Sequence, residues 1–369
     1  MTTVLDPPQG AGSSAVTDTG PLKSFQELFE PELLAWLDHK KACTLAEAAD
    51  LGELTGSLRE FIERGGKRLR PALVYFAYRA CGGEEQKAVL PLAMSTELLH
   101  TYLLIHDDIM DSAALRRGRP TAHLLFETDH RRRRWRGSSE RHGESVAILL
   151  GDLAHSYAVE LLFEAESRLG QARLAPCFVA MCQEVVLGQY LEMTAPFRDG
   201  WRKDDLLKVL RLKSGRYSVE RPIELGALAA RAPDATFQGL KTYGRALGEA
   251  FQLKDDLLGV FGASDTVGKS VDSDIAEGKF TVLVQQALEK SDESGRALLG
   301  SALGNRAVTD AELDEVRRIV EGSGAKAEVE QMIARRLERA ANSIAGLELS
   351  VEAETFFRGL IDFLRDREH

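Results

Sequence analysis

The residues best able to do chemistry are acidic and lie in apolar surroundings. The sharpest group is Leu103-Leu104-Ile105-His106-Asp107-Asp108-Ile109-Met110-Asp111. On a helix, Asp107 and Asp111 leave the same face one turn apart, and Asp108 is turned about 100° away. The apolar residues before them predict a buried helix, where like charges repel and persist only with a cation. An exposed acidic helix end fits those flanks poorly. What remains is an oxygen-ligand site for a hard divalent ion. Mg2+ suits it best, since it takes one or two carboxylates plus substrate phosphates.

A second pair follows 148 residues later, in Phe251-Gln252-Leu253-Lys254-Asp255-Asp256-Leu257-Leu258-Gly259. A double aspartate again interrupts an apolar helical run, but the i+4 partner of Asp255 is Gly259. Two such pairs predict facing helices that hold metal between them, as helix-bundle sites do. Basic turns complete the pattern. Gly65-Gly66-Lys67-Arg68-Leu69-Arg70-Pro71 sets a diglycine beside three cations, and Arg116-Arg117-Gly118-Arg119-Pro120 follows the first acidic group. Lys213, Lys269 and Lys279 each lie near Gly or Ser. Backbone approaches an anion closely at Gly, and Lys and Arg supply charge-assisted bonds to it. Carboxylates for metal, metal for phosphate and cations for the remaining charge are what a metal-held diphosphate needs.

The elements that must position these groups are helical. Apolar residues recur at three and four, as in Phe25, Leu28, Phe29 and again in Leu253, Leu257, Val260, and alternating strand-like segments are essentially absent. None of the 11 prolines follows Pro233, which favours long helices over a turn-rich β fold. Residues 1–24, rich in Gly, Ser, Thr and Pro, read as a flexible tail, and 25–369 as one all-α domain. Residues 129–143 carry six arginines with Gly and Ser and read as a solvated loop. Four cysteines without metal spacing read as reduced thiols of a cytosolic protein. No apolar run approaches a membrane span and no secretory signal opens the chain, so a soluble, cytoplasmic protein is expected. The net charge of −10 argues against general nucleic-acid binding.

In order along the chain, Gly65–Pro71, Asp107–Asp111 with Arg116-Arg117-Gly118, Lys213-Ser214, Gln252–Asp256, Gly268-Lys269 and Gly278-Lys279 resemble the trans-isoprenyl diphosphate synthases over roughly residues 25–290. The resemblance implies an all-α bundle around a deep central cavity, a homodimer, and Mg2+, up to three ions per site with Mn2+ as a substitute. It also implies head-to-tail condensation of isopentenyl diphosphate with an allylic diphosphate (dimethylallyl, geranyl or farnesyl). By position, Asp107, Asp108, Asp111, Asp255 and Asp256 match the metal-binding motifs, with Gly259 in place of a third aspartate often found there. Lys67, Arg70, His100 and Arg117 match the isopentenyl diphosphate pocket. Arg116, Lys213, Ser214, Gln252, Lys269 and Lys279 match allylic diphosphate contacts, and Ser214 stands where Thr is common. The catalytic set is Asp107, Asp108, Asp111, Asp255 and Lys213.

Tyr102, five residues before Asp107 and about 7.5 Å back along a helix, is the expected floor of the product cavity, with Leu103 and Leu99 beside it. That pattern resembles geranylgeranyl diphosphate synthases and predicts a C20 product; a farnesyl (C15) or longer-chain synthase is the alternative. A class I terpene cyclase would not need the Gly65–Arg70 and His100 set, a metal phosphohydrolase would need histidine ligand spacing not seen here, and a non-catalytic partner subunit would have degraded aspartate motifs.

Overall fold

The computed structural model describes residues 20–170, 173–197, 200–262, 273–305 and 307–367. The first ten helices are α1 (Pro21–Glu47), α2 (Ala49–Glu63), α3 (Leu69–Ala80), α4 (Gln86–Met110), α5 (Ala122–Arg132), α6 (Ser139–Leu169), α7 (Leu174–Thr194), α8 (Lys203–Leu210), α9 (Arg221–Ala229) and α10 (Asp234–Phe261). Between α8 and α9 the chain continues as a π-helical segment, Arg211–Glu220. Then come α11 (Ser273–Ala276), α12 (Val282–Lys290), α13 (Glu293–Ala302), α14 (Asp310–Gly322), α15 (Ala325–Ile344) and α16 (Val351–Asp366). Strand pairing among the described residues is a two-residue hairpin, Leu115–Arg116 against Arg119–Pro120. It turns the chain directly after the first aspartate group.

Local sequence explains several boundaries. Thr309 and Glu312 form a reciprocal capping box at the start of α14. Ser138 caps α6, and Gly170 ends it in the left-handed conformation. Pro21 sits in the first turn of α1, where the missing N–H has no helical partner to lose, while Pro31 and Pro91 lie inside α1 and α4.

Helix α1 begins at Pro21, inside the segment read as a tail, because Leu22 and Phe25 are both buried. The arginine-rich run is also more ordered than a loop. Helix α5 extends to Arg132 and α6 starts at Ser139, leaving a short connection. Its arginines are largely paired at the surface, Arg131 with Glu127, Arg132 with Asp129, and Arg133 with both Asp129 and Glu53.

One continuous core runs through the bundle. Helix α4 lies near its centre, with Val89–Leu99 buried and long contacts to α6 and α3. Helix α10 packs along α15 and the π segment. An aromatic cluster ties the chain's two ends together. Phe25 of α1 meets Tyr75 of α3 in a tilted contact at 5.0 Å, and Phe76 stacks on Phe356 of α16 at 4.0 Å. Tyr243 of α10 donates a 2.7 Å hydrogen bond to the Phe357 carbonyl. Burial of each such ring stabilises by about 1.5–3 kcal/mol, and together the contacts place the end of α16 over the start of α3. Three helices (α4, α6 and α7) are long and apolar enough to cross a membrane by composition. Most of the apolar stretch of α4 is packed inside this bundle.

Candidate active site

The two aspartate groups occupy the last turns of α4 and the C-terminal half of α10. Asp107 accepts a 3.1 Å bond from Gln189 Nε2 of α7, and Lys213 Nζ lies 3.8 Å from the same oxygen. Lys213 also forms a very short contact with Glu192 of α7. Burial works against the charge on Lys213, but Glu192 and Asp107 outweigh it and its pKa is raised. The lysine reaches this position because α7 and the π segment touch backbone to backbone. A Cβ at Gly188 would stand 2.3 Å from the Lys213 amide nitrogen. The ten-residue π segment belongs to a rare class of helical distortion that concentrates at functional sites.

On α10, Gln252 Nε2 donates to Asp256 Oδ1 at 2.8 Å. Burial pushes the Asp256 carboxyl up to about 8, helped by Asp274 and Asp255. Asp111 is pushed up to about 6 by burial and by neighbouring Asp107. Two clefts converge here. One is lined by Lys213, Ser214, Gln252 and Asp256, the other, of about 780 Å3, by Asp111 and Gln189, and they share Glu192 and Lys279. Lys279 bonds Asp274 Oδ1 at 2.8 Å and Glu277 Oε2 at 3.0 Å. Carboxylates from α4 and α10 therefore face common walls with two half-buried lysines between them.

Asp108 is held by an ion pair within the chain. It is fully buried, and its two oxygens accept from Arg116 Nε at 2.7 and 2.9 Å. The hairpin after α4 folds Arg116 back onto that aspartate, so the pair anchors the turn. The place left by Gly259 is also filled. A Cβ there would lie 2.0 Å from Asp274 Oδ2, so an acidic group from α11 occupies the space of the absent side chain. Lys269 lies outside the described residues.

A separate basic cavity of about 290 Å3 is lined by Lys67, Arg70, His100, Arg117, Phe251 and Arg367. Gly65 and Gly66 adopt φ of 88° and 154°, so this turn depends on glycine. Arg68, between the two expected ligands, turns inward and pairs with Glu30 at 2.7 Å and Glu97 at 2.5 Å. Arg70 Nη2 bonds Ser218 Oγ at 2.6 Å, while its buried Nε has no hydrogen-bond partner. Burial and the charge of Arg367 lower the Lys67 pKa. Burial lowers that of Arg117 too, with Arg68, Arg116 and Arg70 adding repulsion. Crowded, desolvated cations with an orphaned donor are what a polyanion would relieve.

Sequence reasoning missed Gln189, Glu192, Tyr217, Asp274 and Arg367. Arg367 is the most distant in sequence, yet its Nη1 lies 2.6 Å from Asp255 Oδ1. Local sequence offers no signal for it, because α16 is brought there by the aromatic cluster. The proposed floor residues are placed between helices. Tyr102 meets His106 at 4.6 Å and His155 of α6 at 5.1 Å, whereas Leu99 is wholly buried in the core.

A helical bundle with two facing aspartate pairs, paired lysines and a basic second pocket is an isoprenoid-synthase-type fold. Residues 52–320 match the polyprenyl synthetase family, and the chain belongs to that family and is a prenyltransferase. It is 33% identical over 297 residues to a short chain isoprenyl diphosphate synthase of Methanocaldococcus jannaschii, covering 80% of this chain and 84% of that one. It is 32% identical to a geranylfarnesyl diphosphate synthase of Aeropyrum pernix, over 85% of this chain and 94% of that one. Among solved structures, geranylgeranyl pyrophosphate synthase from Corynebacterium glutamicum, complexed with isoprenyl diphosphate and magnesium, aligns with a TM-score of 0.88. That protein is 32% identical, with 94% of this chain and 99% of that chain covered.

Proposed function

We propose that this prenyltransferase condenses isopentenyl diphosphate head-to-tail with an allylic diphosphate, with geranylgeranyl diphosphate as its main product. The observation that carries the reading is the shared wall. Lys213 stands between Asp107 and Glu192, and Lys279 and Glu192 line clefts that also hold Asp256 and Asp111. An allylic diphosphate lying there meets carboxylates from two helices and lysines from two further segments. The neighbouring basic cavity, with Lys67, Arg70, His100 and Arg117, takes the diphosphate of the second substrate.

Magnesium fits the donor set, which is hard oxygen throughout. Among the described residues no three His, Cys, Asp or Glu side chains gather closely enough to hold a metal alone. Each helix instead offers a pair, Asp107 with Asp111 and Asp255 with Asp256, the number magnesium takes when phosphate oxygens supply the rest. Bound there, the ion would neutralise charge building on a departing diphosphate.

The chain's own residues do the rest. The allylic C–O bond breaks and diphosphate leaves with the electron pair. Lys213 and Lys279 stabilise that charge more strongly in the transition state than in the ground state. The apolar walls keep water from the allylic cation. The alkene of isopentenyl diphosphate then bonds to the cation, and loss of a proton restores the double bond. No side chain is assigned as the base, and the released diphosphate is the acceptor consistent with this arrangement.

Product length rests on Tyr102, whose ring closes the space between α4 and α6 against His106 and His155. The relatives' names include geranylgeranyl and geranylfarnesyl synthases, which brackets the C20 reading without deciding it. A homodimer in the cytoplasm completes the proposal, with the exposed apolar faces of α6 and α7 as the interface. Purified chain given isopentenyl diphosphate and each primer (C5, C10 or C15) should elongate all three to C20. Consumption of a primer without isopentenyl diphosphate would favour a cyclase and overturn the assignment.

A further inference from the structure

His100, half-buried in the wall of the basic cavity, meets the buried Tyr217 of the π segment. Tyr217 Oη lies 2.5 Å from His100 Nδ1, and this ring nitrogen is the hydroxyl's one hydrogen-bond partner among the described residues. The Tyr217 side chain is almost wholly buried. Its ring also carries the Arg70 guanidinium, 4.4 Å from the ring centroid. The residue sits on the π segment that presents Lys213 and Ser214 to the other pocket.

The pair has a definite proton arrangement. A buried hydroxyl with a single neighbour is fully satisfied only when it donates to that neighbour. Donation requires an unprotonated Nδ1, and a neutral ring then carries its proton on Nε2. The ring is held neutral by burial and by the charges of Arg70, Arg117, Arg116 and Arg68, which together keep its pKa well below the ordinary histidine value. His100 lines the basic cavity, so the free edge of the ring offers an N–H to an anion there. The opposite tautomer would leave the tyrosine proton without an acceptor and present a lone pair to the anion.

We infer that Tyr217 is a positioning residue that fixes His100 as the Nε2–H tautomer and so makes a neutral imidazole a donor to the second substrate's diphosphate. The same ring holds Arg70 in place by cation–π contact. This rests on the reading of the basic cavity as the isopentenyl diphosphate pocket.

The test combines spectroscopy with a mutant cycle. Long-range 1H–15N spectra of histidine-labelled protein, with His100 assigned by its absence from H100Q, should show the Nε2–H form in the wild type. In Tyr217→Phe the lock is gone and both tautomers should appear. KM for isopentenyl diphosphate should rise about tenfold, as expected for one hydrogen bond to a charged group. KM for the allylic primer and kcat should change far less. In the H100Q background the same substitution should leave KM for isopentenyl diphosphate nearly unchanged, apart from the smaller contribution through Arg70. An Nδ1–H wild type, or an equal KM shift with and without His100, would overturn the inference. Should Y217F lose its helical circular dichroism, the wild-type spectrum decides the question alone. Absence of any isopentenyl diphosphate turnover would remove the substrate reading and leave the tautomer measurement standing.

Discussion

At the scale of single residues, burial among other acids raises the carboxyls of Asp111 and Asp256, which a bound cation would relieve. Asp256 keeps its proton up to about 8 in the folded chain, against 3.8 for an ordinary aspartate, because it is buried beside other acids. A carboxyl whose folded pKa is raised favours folding at low pH, and that contribution is lost as pH rises through the folded value. In chelator, the melting temperature should therefore fall between about pH 4 and pH 8. Magnesium should raise it more at pH 8 than at pH 6, as differential scanning calorimetry can measure. A magnesium effect independent of pH would count against these carboxylates as the binding site. Asp107→Ala and Asp255→Ala should each lower turnover by at least a hundredfold while leaving the helical circular dichroism intact. A hundredfold in rate corresponds to about 2.7 kcal/mol of lost transition-state charge stabilisation. Near-normal turnover in either variant would remove the metal-site argument.

Pairs of elements decide how the site is shaped. Helices α4 and α6 meet below the first aspartate group, where a Cβ at Gly151 would stand 2.4 Å from the His106 ring. Tyr102 fills the remaining space, so Tyr102→Ala should lengthen the product beyond C20, read by reversed-phase thin-layer chromatography after dephosphorylation. An unchanged product distribution would show that the floor lies elsewhere. Helices α10 and α11 meet at Gly259, where Asp274 occupies the space of a side chain. Gly259→Asp would rebuild the fuller motif seen from sequence, yet it should destabilise by about 1–3 kcal/mol through overpacking and like charge. Thermal unfolding of the purified variant measures this directly.

At the scale of the whole molecule, α6 and α7 leave apolar side chains facing outward. Phe163 is 61% exposed, Leu187 56% and Tyr190 57%. Val179, Val186, Leu187, Tyr190 and Met193 fall on one face of α7, too continuous for a lone surface helix. Light scattering should give a dimer, and Val186→Asp combined with Leu187→Asp should shift it to monomer. A monomeric wild type with full activity would dismiss this interface. The same long-range packing sets Arg367 against Asp255 and above Lys67. The last helix thereby lines the basic cavity.

The sequence by itself determined the all-helical class, the two aspartate groups, the basic turns and the chemistry they imply. Those features are local: carboxylate spacing, apolar period and glycine next to cations are set within a few residues. The family relation, too, was legible from the order of those motifs. Tertiary structure decided which of the charges face outward to a ligand. Asp108 and Arg116 stand apart in the sequence but pair with each other, because the hairpin after α4 closes on itself. Arg68 is spent on Glu30 and Glu97 in the same way. Glu192, Tyr217, Asp274 and Arg367 look ordinary in the sequence and enter the site only through packing between distant segments. Burial and ion pairing are properties of three-dimensional neighbours, so the partner of each charge, and with it the role of each charge, is fixed by the fold.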